Sequence, residues 1–177
     1  MRRSILLLVL IFLTISEVSA ATRDPAEYFF NQSLGDFSEE LEVAREKGTK
    51  GVLIMFEMDE CPFCHRMKSR VLNQVAVQDY FQAHFQIYSV DIEGDVEITD
   101  FQGQPVKEKD FAFKYFKVRA TPVFAFFNLD GKLLTRFTGA TNSADEFMWL
   151  GEFVVDEHYK STNFSRYKRA KKKEMRK

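Results

Sequence analysis

The stretch from Gly51 to Leu72, GVLIMFEMDECPFCHRMKSRVL, constrains the fold most strongly because its pattern changes at a pair of cysteines. Residues 52–56 are uniformly apolar and too few for a comfortable helix, which is typical of a strand buried on both faces. Pro62 is well suited to the first position of a helix, where its missing N–H leaves no hydrogen bond unmade. The sequence therefore predicts a buried strand, a short connection and a helix that starts at Cys61.

Cys61 and Cys64 are the only two cysteines of the chain. A thiol at the N-terminus of a helix faces unpaired backbone N–H groups and the positive end of the helix dipole, and both favour the thiolate that attacks disulfides. Cys64 lies one turn further on, within reach of a mixed disulfide on Cys61. Because a disulfide that closes so short a loop constrains little of the unfolded chain, the pair predicts redox reactivity rather than a stabilising crosslink.

His65, directly after Cys64, leaves two other hypotheses open. The pattern C-x-x-C-H is also that of covalent haem attachment, with His65 as an iron ligand. Two thiolates with His65 and Met67 would suit a soft metal ion such as copper. Both hypotheses are weaker, because the motif follows a buried strand and because adjacent residues on a helix point about 100° apart. We therefore expect no bound metal and no cofactor.

The first twenty residues have the composition of a secretory signal peptide. Two arginines precede the largely apolar run Ile5–Ile15, and small residues end the segment at Ala20. A helix of this apolar run rises only about 16 Å, against roughly 30 Å of hydrocarbon in a bilayer. We expect cleavage near Ala20 and export to the periplasm, a compartment in which disulfides form and persist.

Charge is distributed unevenly along the rest of the chain. Residues 21–160 carry a formal charge of −9, whereas residues 161–177 carry +7. The length and the apolar content suit one domain, which we place at residues 21–160. Because residues 161–177 lack a sustained apolar face, the sequence predicts a basic, partly disordered tail there.

Further strands are predicted on the C-terminal side of the cysteines. Residues 86–92 alternate between apolar and polar positions, as a strand does, and residues 93–106 are rich in turn-forming residues, which indicates an inserted hairpin or loop. Two apolar segments joined at Asp130-Gly131 predict a hairpin.

Two further helices are predicted between and after these strands. Residues 107–118 have Phe111, Tyr115 and Phe116 at positions that predict one apolar helical side. The last helix is predicted to begin at Ser143, a favourable N-cap residue. Strands that alternate with helices indicate an α/β fold.

Three parts of the chain form a recognisable combination: the strand Val52–Glu57, the motif Cys61-Pro62-Phe63-Cys64, and Thr121-Pro122 just before the strand VFAFF. Together they resemble the thioredoxin family over roughly residues 36–158. The resemblance implies a thioredoxin fold, with a mixed central β-sheet flanked by helices and a short inserted hairpin or loop.

The resemblance also implies roles for individual residues. Cys61 and Cys64 are the expected catalytic residues, the first as nucleophile and the second as resolving thiol. In this family the proline after a β-prone residue follows a cis peptide bond and lies beside the active-site pair, where the backbone of the preceding residue docks the substrate chain. The expected substrate-binding residues are Thr121, Pro122, Pro62 and Phe63.

The chain departs from the family pattern at several positions. Thioredoxins usually place Trp before the first cysteine and Gly after it, where this chain has Glu60 and Pro62. The buried acid that assists proton transfer in that family falls at Met55. Glu57, two residues on and on the same side of the strand, is a candidate substitute, although a charged residue at a strand end is more often simply solvated.

The segments VLIMFEMDECPFC and VRATPVFAFFNLDGK resemble, more narrowly, the SoxW-like periplasmic thioredoxins, which are associated with reducing partner proteins in sulfur oxidation. Asp59 and Glu60 oppose a thiolate at Cys61, which favours a reductant. We predict a monomeric protein-disulfide reductase that acts on a disulfide-containing exported protein, draws on a membrane-bound thiol donor and binds no nucleic acid. An oxidase or isomerase of the same fold is the alternative.

Overall fold

The computed structural model of the protein describes residues 21–176, so the predicted signal peptide at residues 1–20 lies outside the described residues. Between residues 21 and 176, no helix combines the length and the apolar character needed to cross a bilayer. The α-helices are α1 (Pro25–Tyr28), α2 (Phe37–Glu46), α3 (Pro62–Arg70), α4 (Val75–His84), α5 (Glu108–Asp110), α6 (Ala144–Val155) and α7 (Phe164–Glu174). The strands are β1 (Gly51–Glu57), β2 (Phe85–Asp91), β3 (Glu97–Thr99), β4 (Pro105–Lys107), β5 (Val123–Phe127) and β6 (Leu133–Thr138).

The main sheet has four strands in the order β2-β1-β5-β6. β1 pairs in parallel with β2 and antiparallel with β5, and β5 pairs antiparallel with β6. β3 and β4 form a separate two-stranded antiparallel sheet, which is the predicted insert. The mixed central sheet and the inserted hairpin are therefore confirmed.

Successive residues of β1 contribute to two different cores, because neighbouring side chains of a strand point to opposite faces. Val52, Ile54 and Phe56 pack with α2 and the residues around the insert. Leu53 and Met55 pack on the other face with α3, α4 and α6. The central strand is thus covered on both faces, as its uniform apolar sequence predicts, and it leads directly to the cysteine pair.

The predicted helix at residues 107–118 differs in the structure. After α5, residues Phe111–Tyr115 form a π-helix, in which each hydrogen bond spans five residues rather than four. Phe116, five positions after Phe111, therefore lies on the same side of the helix as Phe111. The two rings pack with centroids 5.0 Å apart. Tyr115, which the 3.6-residue period places on the apolar side, is instead 52% exposed.

The segment before α2 lies along the free edge of β2. The backbone N–H of Asn31 donates to the carbonyl oxygen of Ile87 at 2.7 Å. The N–H of Ile87 donates in turn to Oδ1 of Asn31, also at 2.7 Å. Asn31 thereby satisfies both backbone groups of Ile87, and the buried ring of Phe29 fixes the segment in the core.

The predicted disordered tail is wrong for residues 164–174, which form α7. Phe164 packs its ring against Phe137 and Phe153, with centroids 5.4 and 5.6 Å apart. On the same side, Lys168 donates to Glu146 of α6 at 2.7 Å. α7 contributes few apolar side chains to the core, and ion pairs with acidic residues of α6 complete its attachment.

Glu146 is 3% exposed at its side chain, so its charge depends on its neighbours. Burial raises its pKa, but hydrogen bonds from Lys168 and Asn142 and the charges of Lys168 and Lys172 together outweigh burial, so the pKa lies below its ordinary value. A carboxyl whose folded pKa is lowered stabilises the fold fully above its unfolded pKa, and this contribution is lost as the pH falls through the folded pKa.

Lys168→Met is therefore expected to reduce the free energy of unfolding at neutral pH by about 1–3 kcal/mol, because it leaves a buried carboxylate with weaker partners. The loss should shrink as the pH falls through the lowered pKa of Glu146, because the protonated carboxyl no longer needs the lysine. Urea unfolding at several pH values measures both effects. Lys173→Met, on the exposed side of the same helix, serves as the control and should cost less than about 0.5 kcal/mol. Equal losses in both variants would contradict the assignment.

Candidate functional site

Cys61 and Cys64 lie where the chain leaves the carboxyl end of the central strand and enters α3. Cys61 is the N-cap residue of α3, and its Sγ accepts a hydrogen bond from the backbone N–H of Cys64 at 3.1 Å. Pro62 occupies the first helical position, as predicted. The two cysteines form a disulfide, with Cα atoms 5.2 Å apart. This geometry places a dithiol or disulfide at the positive end of a helix.

Opposing influences act on a thiolate at Cys61. The N–H of Cys64 and the helix terminus would stabilise the charge, whereas Cys61 is only 2% exposed and burial opposes a charged sulfur. Asp59 and Glu60, both exposed, add negative charge immediately before it. The arrangement permits thiolate chemistry without strongly favouring the charged form.

The surface beside the pair contains an exposed aromatic side chain. Phe63 is 56% exposed, and the guanidinium of Arg66 lies 5.3 Å from the centre of its ring. Such a pair combines an apolar face with a positive charge. Phe63 is thus exposed beside the pair, and its contact with a substrate stays a prediction.

Thr121 and Pro122 reach the same end of the sheet from β5. Val123 pairs with Phe56, so continuing this register brings Thr121 and Pro122 level with the connection from β1 to Cys61. The Thr121–Pro122 peptide bond is cis, as the family resemblance implies. Among the described residues, the buried hydroxyl oxygen of Thr121 has no hydrogen-bond partner. Its substrate-binding role stays a prediction.

His65 does not point freely into solvent beside the cysteines. Its Nε2 donates to the backbone carbonyl oxygen of Asp59 at 2.9 Å, which ties α3 to the loop before Cys61. Within residues 21–176, no group of three or more His, Cys, Asp or Glu side chains is positioned to hold a metal ion. This geometry lends no support to the haem and copper hypotheses.

Glu57, the candidate for proton transfer, is bound by two partners that the sequence interpretation did not identify. Lys68, four residues after Cys64 on α3, donates to its carboxylate at 2.7 Å. The hydroxyl of Ser89 on β2 donates to the same carboxylate. The position of the family's buried acid is occupied by Met55, a fully buried side chain that cannot transfer a proton. The sequence offered one signal for the role of Lys68: it lies four residues after Cys64, so the two side chains are on neighbouring turns of the same helical face.

Lys68 and His65 also line an open groove of about 690 Å³ between α3 and the N-terminal segment. The segment lies there because Thr22 pairs with Gln74 and the N–H of Arg23 donates to the carbonyl oxygen of Asn73 at 2.8 Å. The exposed side of the cysteine helix is therefore bounded by the N-terminal segment, a contact between distant parts of the chain that local patterns do not indicate.

Comparison with known proteins agrees with this geometry. A family model described as a thioredoxin-like domain matches residues 37–154. No curated protein sequence matches significantly.

Several solved structures have a similar fold. A thioredoxin-fold protein from Helicobacter pylori has 21% identity and a TM-score of 0.55, over 76% of this chain and 98% of that chain. A thioredoxin from Thermus thermophilus has 25% identity and a TM-score of 0.52, over 70% of this chain and 88% of that chain. A candidate disulphide-isomerase from Bacteroides thetaiotaomicron has 23% identity and a TM-score of 0.56, over 76% and 94%. These similarities support a shared fold.

Proposed function

The chain belongs to the thioredoxin-like domain family, and from this premise we propose that it is an exported thiol–disulfide oxidoreductase that reduces disulfides in partner proteins. One observation carries the proposal: Cys61 and Cys64 form a disulfide at the N-terminus of α3, directly after the central strand. A pair that closes so short a loop adds little stability, so reactivity is its more reasonable purpose.

The proposed reaction is two successive thiol–disulfide exchanges. The Cys61 thiolate attacks one sulfur of the substrate disulfide, and the other substrate sulfur leaves as a thiolate that takes up a proton. Cys64 loses its proton and attacks the Cys61 sulfur of the mixed disulfide, which releases the second substrate thiol. Two electrons pass to the substrate, and the Cys61–Cys64 disulfide remains.

Pro62, Phe63, Thr121 and Pro122 are proposed to bind the substrate chain. Two observations support this role: Phe63 is exposed, and Thr121 and Pro122 lie at the same end of the sheet as the cysteine pair. The hydroxyl oxygen of Thr121 is buried, so we propose that the backbone of Thr121, rather than this hydroxyl, docks the substrate chain.

The proposed direction is reduction of the substrate. Burial of Cys61 and the neighbouring Asp59 and Glu60 disfavour a thiolate, so they raise the free energy of the reduced state relative to the disulfide. A dithiol of this kind gives up its electrons readily. The oxidised pair must then be reduced again, and we propose that a membrane-bound thiol donor in the periplasm does so.

The partner class follows the finer resemblance. The motifs around Cys61 and Thr121 support a SoxW-like role, in which the chain works as a monomer on a disulfide-containing exported protein. This assignment to a subfamily rests on sequence motifs alone.

Equilibration of the protein that begins at Ala21 with glutathione is expected to give a reduction potential more negative than about −200 mV. The fraction of reduced Cys61–Cys64 pair, measured by thiol alkylation, provides the potential. Removing the two acids with Asp59→Asn/Glu60→Gln should make it less negative by roughly 10–40 mV, because a thiolate becomes easier to form.

Asp130→Asn, in the loop between β5 and β6, is the matched control and should leave the potential unchanged. A wild-type potential near about −120 mV, as in strong periplasmic oxidases, would instead assign an oxidase.

A further inference from the structure

Three basic side chains on the outer side of the C-terminal helix and a fourth just after its end form a row, and we call them the basic stripe. They are Arg166, Arg169, Lys173 and Arg176. All four are exposed, and within residues 21–176 none forms an ion pair. At the helical repeat of 100° per residue, Arg166, Arg169 and Lys173 fall within an arc of about 60° and extend over about 10 Å. Arg176 follows two residues after α7 ends at Glu174.

The opposite side of α7 holds the helix against the domain. Phe164 and Tyr167 pack on Phe153, and Lys171 pairs with Glu152 at 2.6 Å. Lys168 and Lys172 both approach Glu146, at 2.7 and 3.6 Å. Two carboxylates of α6 therefore compensate most of the charge of the three inner lysines, whereas the basic stripe forms no ion pair within residues 21–176.

We propose that the basic stripe docks the protein on an anionic lipid surface. Protein interfaces generally contain a desolvated centre with aromatic or apolar anchors, and the stripe contains none. A layer of anionic headgroups requires no such anchor, since each Lys or Arg near it is attracted through the surface potential. A narrow row of charges along one helix matches a flat, diffusely charged partner.

The charge of the remaining domain orients this contact. Residues 21–160 carry a formal charge of −9, so an anionic surface repels the body of the protein while it attracts α7. The result is a peripheral contact that leaves the protein at the surface with its acidic body facing away. The inference does not depend on the chemistry of Cys61 and Cys64.

The test is co-sedimentation of the protein that begins at Ala21, so that the predicted leader cannot contribute, with vesicles of phosphatidylcholine alone or mixed with phosphatidylglycerol. Binding is expected only to the mixed vesicles and only at low salt; about 1 M salt, where the Debye length is about 3 Å, should abolish it. Replacing all four stripe residues by glutamine should weaken binding by about a hundredfold or more, since each contributes roughly fivefold.

A charge-matched control separates the stripe from net charge. It replaces Lys47, Arg70, Lys114 and Lys132, all exposed and distant in sequence from α7, by glutamine. Binding of this variant should fall no more than about threefold, because none of these four charges belongs to the basic stripe. Cooperative urea unfolding shows that both variants remain folded.

Three outcomes would overturn the proposal. The first is that the wild type does not bind mixed vesicles at low salt. The second is that both variants lose binding equally, which would make net charge the cause. The third is that the wild type self-associates at low salt, without binding vesicles, and that the stripe variant does not. That result would identify the acidic body of a second copy as the partner.

Discussion

Cys64→Ser is expected to accumulate as a covalent complex with its substrate proteins. Cys61 still attacks the substrate disulfide, but no second thiol lies at the adjacent turn to release the mixed disulfide. Turnover on a disulfide substrate should fall by about three orders of magnitude or more, because removing one member of a catalytic pair removes its function as a unit. Non-reducing electrophoresis of the variant after incubation in native extract should show complexes that disappear on addition of a reductant.

Cys61→Ser is the matched control, since it makes the same change at the other member of the pair. Both sulfurs are nearly buried, but Cys61 caps the helix at its start whereas Cys64 lies within its first turn, behind Cys61. Cys64 should therefore capture few or no substrates alone. If Cys61→Ser captured the same proteins as Cys64→Ser, the assignment of the two roles would be wrong. If Cys64→Ser captured none, the proposed reaction itself would be contradicted.

Phe147→Ala is expected to reduce the free energy of unfolding by about 3–5 kcal/mol, the usual cost of removing a fully buried ring. The ring of Phe147 on α6 lies 4.5 Å from that of Phe81 on α4 and 4.8 Å from that of Phe124 on β5, between centroids. It therefore joins two helices to the sheet. Because domains of this size are stable by about 5–15 kcal/mol, the variant should have lost a large share of its stability. Urea denaturation measures the loss.

Phe113→Ala provides the comparison for this variant. It deletes the same ring from the π-helix Phe111–Tyr115, where Phe113 is exposed and lies 5.3 Å from the guanidinium of Arg119. The cost there should stay below about 1 kcal/mol. Similar losses in the two variants would show that Phe147 does not join the helices and the sheet as described.

The centre of the fold could be predicted from sequence because its signals are local. The apolar run of β1, the proline at the start of α3 and the spacing of Cys61 and Cys64 all lie within 22 residues, and each indicates the same arrangement. The position of Thr121-Pro122 could be predicted only through family resemblance, because the register between β1 and β5 joins residues far apart in the chain.

The features that sequence patterns missed depend on distant partners. α7 has few apolar residues, and it is held by Glu146 and Glu152 on another helix. Similarly, Glu57 is bound by Lys68 and Ser89, which belong to a different helix and a different strand. A pattern read along one segment contains no information on such pairs. The π-helix was missed for another reason: its repeat differs from the α-helical period by which amphipathic segments are recognised.

The contact between Asn31 and Ile87 has a consequence for the behaviour of the protein at high concentration. A sheet edge with free N–H and C=O groups can recruit a strand from another molecule and so begin aggregation. Asn31 occupies both groups of Ile87 at the middle of β2. The opposite edge strand, β6, includes the charged residue Arg136, which disfavours recruitment in a different way. Addition of a further strand is thus hindered at one edge by an asparagine and at the other by charge.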